Sequence, residues 1–342
     1  MITLTSIREV AKKAGVSIAT VSRVLNSDEK LSVSQETRDK VLQTAKQLKY
    51  SPREKKTHKN RIATVGLVTT VNEIQEIDDP YFRAIRRGIE QEAERLKVSV
   101  NRVIRLSDKK ADWEGLNHLG GILVLGTVDP KTLESLYNEN PNIVVIDDSH
   151  ADARFDAVYS DFKSATIASL EHLYENGHRN IAYIGGQRVV MNQEGDVYFN
   201  EDEDRYQTYV SWMNDKGLQH LRYGLLGGWS TLEGLRLGEQ LTERGDTTAV
   251  LVASDPMAVG VYRAFQKQGY SIPEDISISS FDDIEIAEFL TPSLTTVKVE
   301  TEELGKFAVK LALERIREER DIPVRVMIPA KLIKRESVQY KN

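Results

Sequence analysis

Three patterns of apolar and polar positions divide the chain. From Leu4 to Tyr50 the apolar residues recur at helical spacing. Ile7, Val10, Ala11 and Ala14 share one face, Val21, Val24 and Leu25 a second, and Val41, Leu42, Ala45 and Leu48 a third. Gly15 supplies the freedom for a sharp turn between the first two helices. Ser6 with Glu9, Ser17, and Ser32 with Gln35 are predicted to cap the three helices in turn. Ile18, Ala19, Ser22, Arg23 and Asn26 are left outside this small core. A helix-turn-helix is the expectation. Ser51–Arg61 is polar, its charges are mostly of one sign, and Pro52 halts the third helix. It reads as a linker.

From Ile62 onward, short runs rich in Val, Ile and Leu alternate with amphipathic helices. Strands are expected at IATVGLV, VSVNRVI, GILVLG, NIVVID, DAVYS, NIAYIGG, YGLLG, TAVLVAS, ISISSF, LTTVKV and VRVMIP. Helices are expected at Tyr81–Leu96, Lys163–Asn176, Tyr206–Lys216, Thr231–Glu243, Met257–Gln268 and Thr301–Arg317. Such alternation indicates α/β architecture with parallel sheets covered on both faces. Eleven strands are too many for one compact sheet, so two doubly wound lobes are predicted.

Charge changes what the helical end is expected to touch. Residues 1–61 hold 14 Lys and Arg against 6 Asp and Glu, a net of +8, while the whole chain is -6. The remaining residues therefore hold 32 against 46, a net of -14. A basic end on an acidic body suits phosphate contact at that end, because neutralised phosphates release counterions. The alternative is a helical domain with a solvated basic face. At 342 residues the chain has room for two or three domains. It has no apolar run long enough for a membrane span, and the helix-turn-helix occupies the place of a signal peptide. Zero cysteines exclude disulfides and thiolate metal sites and fit a reducing cytoplasm.

The run AKKAGVSIATVSRVLN, followed by V-S-x-x-T-R-x-x-V, resembles the DNA-binding headpiece of the lactose/galactose repressor (LacI/GalR) family of bacterial transcription regulators. GHRNIAYIGG, VLVASDPMAVGVYRAFQKQGYSIPEDISISSFDD and TPSLTTVKVE resemble that family's effector-binding core, which is related to periplasmic sugar-binding proteins. The resemblance implies a headpiece at 1–50, a linker at 51–61 and a core at 62–342. Lobe one would be 62–160 plus 293–330 and lobe two 161–292, with crossings near Ser160–Asp161, Thr291–Pro292 and Lys331. It also implies that the second helix lies in the major groove. Ser17 would then open the DNA-facing set, with Ile18 and Ala19 against base edges. Arg23 would fork onto a guanine, Thr20 would touch phosphate, and Ser22 and Asn26 would touch base or phosphate. The linker departs from the family pattern: no large apolar residue stands between Pro52 and Ile62 to wedge into a minor groove.

Ligands of open α/β sheets sit at the carboxyl ends of strands. Asp161 follows DAVYS, and Asp282 and Asp283 follow ISISSF; carboxylates there can accept paired hydrogen bonds from vicinal hydroxyls. By the resemblance, Arg205 clamps the effector, Trp229 stacks on a sugar face, and Ser254 offers a polar contact. Asp79-Pro80-Tyr81-Phe82 opens the first lobe-one helix and puts Tyr81 and Phe82 at the cleft rim. Each has an alternative. Asp161, Asp255 and Asp283 would serve as helix caps, Trp229 as lobe packing, Tyr81 and Phe82 as core staples, and Arg205 as a surface partner of Glu201–Asp204.

No phosphate loop, H-E-x-x-H or G-x-S-x-G occurs, and the six histidines form no metal-spaced group. The expectation is a cofactor-free, non-enzymatic repressor that binds a near-palindromic operator as a homodimer. Galactose or a galactoside is the leading effector. Purine co-repression, a phosphoprotein partner and a cytoplasmic sugar-binding module are the alternatives. KLIKRESV stands close to the C-terminus, which predicts a dimer without a tetramerising tail.

Overall fold

The computed structural model describes residues 7–25, 33–48, 63–108 and 112–341. Two compact units emerge, Met1–Arg61 and Ile62–Asn342.

The first unit holds three helices, α1 (Ile7–Ala14), α2 (Ile18–Leu25) and α3 (Gln35–Gln47). Val10, Ala11, Ala14, Val21, Val24, Val41 and Ala45 form its core. Gly15, at φ +72°, turns the chain between α1 and α2 in a conformation that side chains resist. Ser17 Oγ then accepts from Thr20 N at 3.0 Å, capping α2. Two expectations are corrected. The cap of α3 is Ser34, whose extended backbone lets Oγ accept from Thr37 N at 3.2 Å, and Gln35 is the first helical residue. Leu42 is 46% exposed. Val41, Ala45 and Leu48 share the inward stripe, and Leu42 stands about 100° round from Val41. The expected caps at Ser6 and Ser32, the linker and Asn26 lie outside the described residues.

The second unit begins with β1 (Ala63–Thr69), α4 (Glu73–Asp78), α5 (Pro80–Leu96), β2 (Val98–Arg105) and β3 (Gly121–Leu125). α6 (Pro130–Glu139), β4 (Ile143–Ile146) and β5 (Asp156–Ser160) complete the first run through lobe one. The chain crosses at Asp161 into α7 (Phe162–Glu175) and β6 (Ile181–Gly186), then forms a hairpin of β7 (Arg188–Met191) and β8 (Val197–Asn200). α8 (Asp204–Asp215), β9 (Tyr223–Gly227), α9 (Thr231–Thr242), β10 (Ala249–Val252) and α10 (Asp255–Lys267) follow. β11 (Ser277–Asp282), α11 (Glu285–Phe289) and β12 (Thr295–Lys298) finish that run. α12 (Thr301–Ile316) and β13 (Arg325–Ile328) return to lobe one, and β14 (Lys331–Ile333) closes lobe two.

Lobe one is a parallel sheet of order β13-β5-β4-β3-β1-β2, and lobe two a sheet of order β14-β12-β11-β10-β6-β9 in which only β14 is antiparallel. The central strands are buried along their whole length, as strands covered on both faces must be. The middle crossing falls later than Thr291–Pro292. Thr295–Lys298 pairs in register with β11 (Ser279 opposite Thr295), so residues 293–298 belong to lobe two.

Paired glycines set the helix crossings in both lobes. A Cβ on Gly88 of α5 would strike the Glu302 carbonyl of α12, and one on Gly305 the Ile85 carbonyl. Gly234 of α9 and Gly260 of α10 repeat the arrangement in lobe two, against the Met257 and Thr231 carbonyls. Backbones this close admit no side chain between them.

Candidate functional site

In the helical unit, burying Val21 and Val24 turns the opposite side of α2 outward. Ile18 is 46% exposed, an apolar side chain on a helix that already has a core face. Arg23 is exposed in the last turn and Ser22 is half-buried. Thr20 Oγ1 lies 2.8 Å from Ser17 Oγ, so both hydroxyls belong to the start of α2. Asn26 and the Ala19 side chain lie outside the described residues.

In the second unit the strand ends of the two lobes face each other, and two acidic pairs occupy equivalent positions. Asp147-Asp148 follows β4, and Asp282-Asp283 ends β11. Asp147 (φ +66°) and Asp282 (φ +108°) both adopt the left-handed backbone that ordinary residues avoid. The second member of each pair is clamped by an arginine: Asp148 by Arg188 at 2.9 Å and Asp283 by Arg335 at 2.7 Å. The first members are free of such partners and meet Tyr81. Tyr81 Oη donates to Asp147 Oδ1 at 2.7 Å, and the charges of Asp147 and Asp282 both act on that phenol.

Arg205 supplies the positive charge. It is buried, its Nε donates to Glu203 Oε1 at 2.7 Å and its Nη1 to the Ala253 carbonyl at 2.9 Å. Glu203 is itself fixed as the cap of α8 and by the Tyr183 hydroxyl at 3.1 Å. Aromatic rings surround the guanidinium, Phe162 at 4.3 Å, Trp229 at 4.6 Å and Phe281 at 5.5 Å from their centroids. Trp229 is held in turn, its Nε1 donating to the Gln187 carbonyl at 2.9 Å while its ring fills the space beside Gly186.

Burial pushes the Asp147 carboxyl up to about 7 and that of Asp282 well above the carboxylate range, with the charge of Asp255 the next cause for Asp282. Burial also raises Asp79, the cap of α5, and Tyr81. The site therefore sets carboxyls that burial biases towards the protonated form against a guanidinium that does not lose its own proton. Such carboxyls both donate and accept hydrogen bonds. Beside Tyr81 and Asp282 opens a cavity of about 620 Å³, bordered by Arg83, Arg87, Lys298 and Lys306. Among the described residues, no group of three or more His, Asp or Glu is placed to hold a metal ion.

Comparison with known proteins places this geometry. Residues 6–53 match the model of bacterial regulatory proteins of the lacI family, and residues 170–338 match the periplasmic binding protein-like domain. The HTH-type transcriptional repressor MelR of Bacillus subtilis (strain 168) is 36% identical over 338 residues, covering 97% of this chain and 96% of that one. The chain belongs to the lacI family. The HTH-type transcriptional regulator GanR of the same organism is 34% identical over 98% of this chain and 100% of its own. Among solved structures, the complex of the transcriptional regulator CelR with cellobiose has a TM-score of 0.68 at 27% identity, covering 97% of this chain and 99% of that one. As a LacI-family member it is a DNA-binding transcriptional repressor, and its relatives are regulators rather than enzymes. Among the described residues, no helix is long and apolar enough to cross a membrane.

Within the LacI-family core the sequence-predicted residues separate. Tyr81, Arg205 and Asp282 converge electrostatically with Asp147, and Trp229 stacks on Arg205. Phe82 lies edge-on to Tyr81, centroids 5.3 Å apart. Asp161 caps α7, accepting from Ser164 N at 3.0 Å, and Ser254 caps α10, accepting from Met257 N at 3.4 Å. Arg205 is no surface partner of its acidic neighbours; its pair with Glu203 is buried. Asp255 is not the cap of α10. It is fully buried and accepts from Thr296 Oγ1 at 2.7 Å and Ile284 N at 3.0 Å, joining α10 to β12 and to the start of α11. Asp283 pairs with Arg335 and does not cap α11, whose cap is Ile284. Four residues were missed: Asp147, Phe162, Glu203 and Phe281. Asp147 had a signal, since it opens an acidic pair after an apolar strand just as Asp282 does.

Proposed function

We propose that this repressor binds a near-palindromic operator as a cytoplasmic homodimer and that a small sugar in the cleft, with galactose or a galactoside leading, sets its affinity. Ser17, Ile18, Ala19, Thr20, Ser22, Arg23 and Asn26 carry the DNA contact in this reading, with Arg23 the base reader and Ile18 and Ala19 against apolar base edges. Tyr81, Phe82, Asp161, Arg205, Trp229, Ser254 and Asp282 form the effector set, to which we add Asp147.

One observation carries the sugar reading. A buried guanidinium flanked by aromatic rings faces two carboxyls whose burial favours the protonated form. A neutral polyhydroxyl ligand meets every part of this: apolar ring faces for its C–H surfaces, a fork for its oxygens, and groups that donate as well as accept for its hydroxyls. An anionic ligand would gain from the guanidinium but force the carboxyls to stay protonated; a cation would be repelled. The cellobiose bound to the CelR relative supports a carbohydrate class. Ligand-favoured closure of the lobes, weakening the grip of paired headpieces, is the proposed mechanism.

The test is fluorescence anisotropy of a labelled operator with the full chain, titrated with galactose, a β-galactoside and a purine base. Galactose or the galactoside is expected to weaken binding by about 5–150-fold. Strengthening by the purine, with no response to sugar, would replace this reading with co-repression.

A further inference from the structure

We propose that the β7–β8 hairpin is a clasp that fastens the two lobes together on the side of the cleft away from the hinge, so that ligand passes only when it lets go. The three chain crossings leave from the ends of β5, β12 and β13, strands that lie at one edge of each sheet. The hairpin leaves β6, in the opposite half of its sheet, and reaches the loop after β3, in the opposite half of the other.

Two kinds of bond make the fastening. Met191 N donates to the Thr127 carbonyl and Asp129 N to the Met191 carbonyl, both at 3.1 Å, pairing Met191 with Val128 across the cleft. Beside this clip Arg188 of lobe two bridges Asp148 of lobe one at 2.9 Å and Asp202 at 3.2 Å. Asp204 of lobe two accepts from Ser149 Oγ of lobe one at 2.6 Å. Asp148 is almost wholly buried, so release of Arg188 uncovers an unpaired carboxylate unless the lobes part and water enters.

Met191 is buried in the lobe-one core, but the rest of the hairpin adds little to either core. Val197, Tyr198 and Phe199 of β8 are 41%, 52% and 63% exposed. What it does adjoin is the ligand site. Asp148 follows Asp147 in the chain, and Asp204 precedes Arg205. A ligand that shifts either cleft residue therefore pulls directly on a fastening residue. This inference rests on the cleft being the effector site, but the fastening can be tested without any effector.

The chain has no cysteine, so Val128→Cys with Met191→Cys introduces its only two thiols. In the full chain without sugar, mild oxidation is expected to cross-link this pair, and adding Arg188→Ala to slow the cross-linking about 10-fold. Hydrogen exchange at the amides of 147–150 and 185–188 should slow at least ~10-fold on oxidation and recover on reduction. Galactose release, followed by tryptophan fluorescence, should slow by ~10-fold or more in the same step. No cross-link without sugar refutes the clasp. A cross-link that leaves exchange and release unchanged shows that the hairpin fastens nothing of consequence and refutes the gate. If galactose binds neither form, the effector reading fails, while the cross-link and the exchange rates still decide the clasp.

Discussion

Arg23 and Arg205 carry the same charge, and their surroundings give them opposite work. Arg23 is exposed at the end of an eight-residue helix whose inward face is already spent on Val21 and Val24. In the proposed reading Arg23 forks onto a guanine through O6 and N7, so Arg23→Ala should lose about 1–3 kcal/mol of discrimination between operator and a variant lacking that guanine. Competition binding at fixed salt checks it; equal weakening on all duplexes would make Arg23 a phosphate contact. Arg205 is buried and its Nε and Nη1 are already committed to Glu203 and Ala253. Its type and position were legible through the family resemblance. Its surroundings were not, because the rings that face it come from α7, β11 and the turn after β9, far apart in the chain. Asp147 was legible by the acidic-pair rule that found Asp282, whereas Asp161 and Ser254 show how a strand-end polar residue is also what the following helix needs as its cap.

At the scale of elements, the long buried strands were easy to find and the short or solvent-facing ones were not. β8 and β14 are only four and three residues long, too short to carry the periodicity by which a strand is recognised. The crossing point was misplaced for a related reason. β12 is buried like any central strand, and nothing local says which of two parallel sheets it joins. The helix contacts are better specified. At Gly305 the α12 backbone lies against the carbonyl of Ile85 and the amide of Ile89 in α5, with no room for even a methyl group. Gly305→Val should therefore separate the two helices and destabilise the core by about 1–3 kcal/mol, read as a lower urea midpoint. An unchanged midpoint would mean that α5 and α12 slide apart at no cost. Asp156 is a second fixed point of lobe one. It is fully buried, accepts from Arg315 at 2.8 Å and from Arg320 at 2.7 and 2.9 Å, and its carboxyl is held below the usual range despite burial. Asp156→Ala removes the buried acceptor that both arginines share, leaving Arg320 its pair with Glu314 at 3.0 Å, and should cost about 3–5 kcal/mol in the same assay.

For the whole molecule, these buried groups make stability depend on pH in opposing directions. Asp147 and Asp255 titrate near 7 and Asp282 is raised well above its ordinary value, all because burial disfavours the charged form. Their unfolded counterparts titrate near 3.8. Between those values the folded core holds more protons than the unfolded chain, so its stability falls as pH rises through the window. His178 works the other way. It is buried between Thr248 Oγ1 and the Gln339 carbonyl, and burial lowers it from 6.5 to about 4. Its contribution is whole above 6.5 and is lost as pH falls towards 4. The wild-type slope between pH 5 and 8 is thus a difference of two effects, and single substitutions separate them. Asp147→Asn should leave stability near pH 4 almost unchanged and raise it by about 1–3 kcal/mol at pH 8, because an amide avoids the cost of a buried carboxylate. His178→Gln should flatten the fall on the acid side and leave the alkaline side alone. Urea unfolding at pH 4, 6 and 8 reads both. If Asp147→Asn instead lowers stability at pH 8, the carboxylate is worth more to Tyr81 as an acceptor than its burial costs, and the neutral-carboxyl basis for a sugar ligand fails with it.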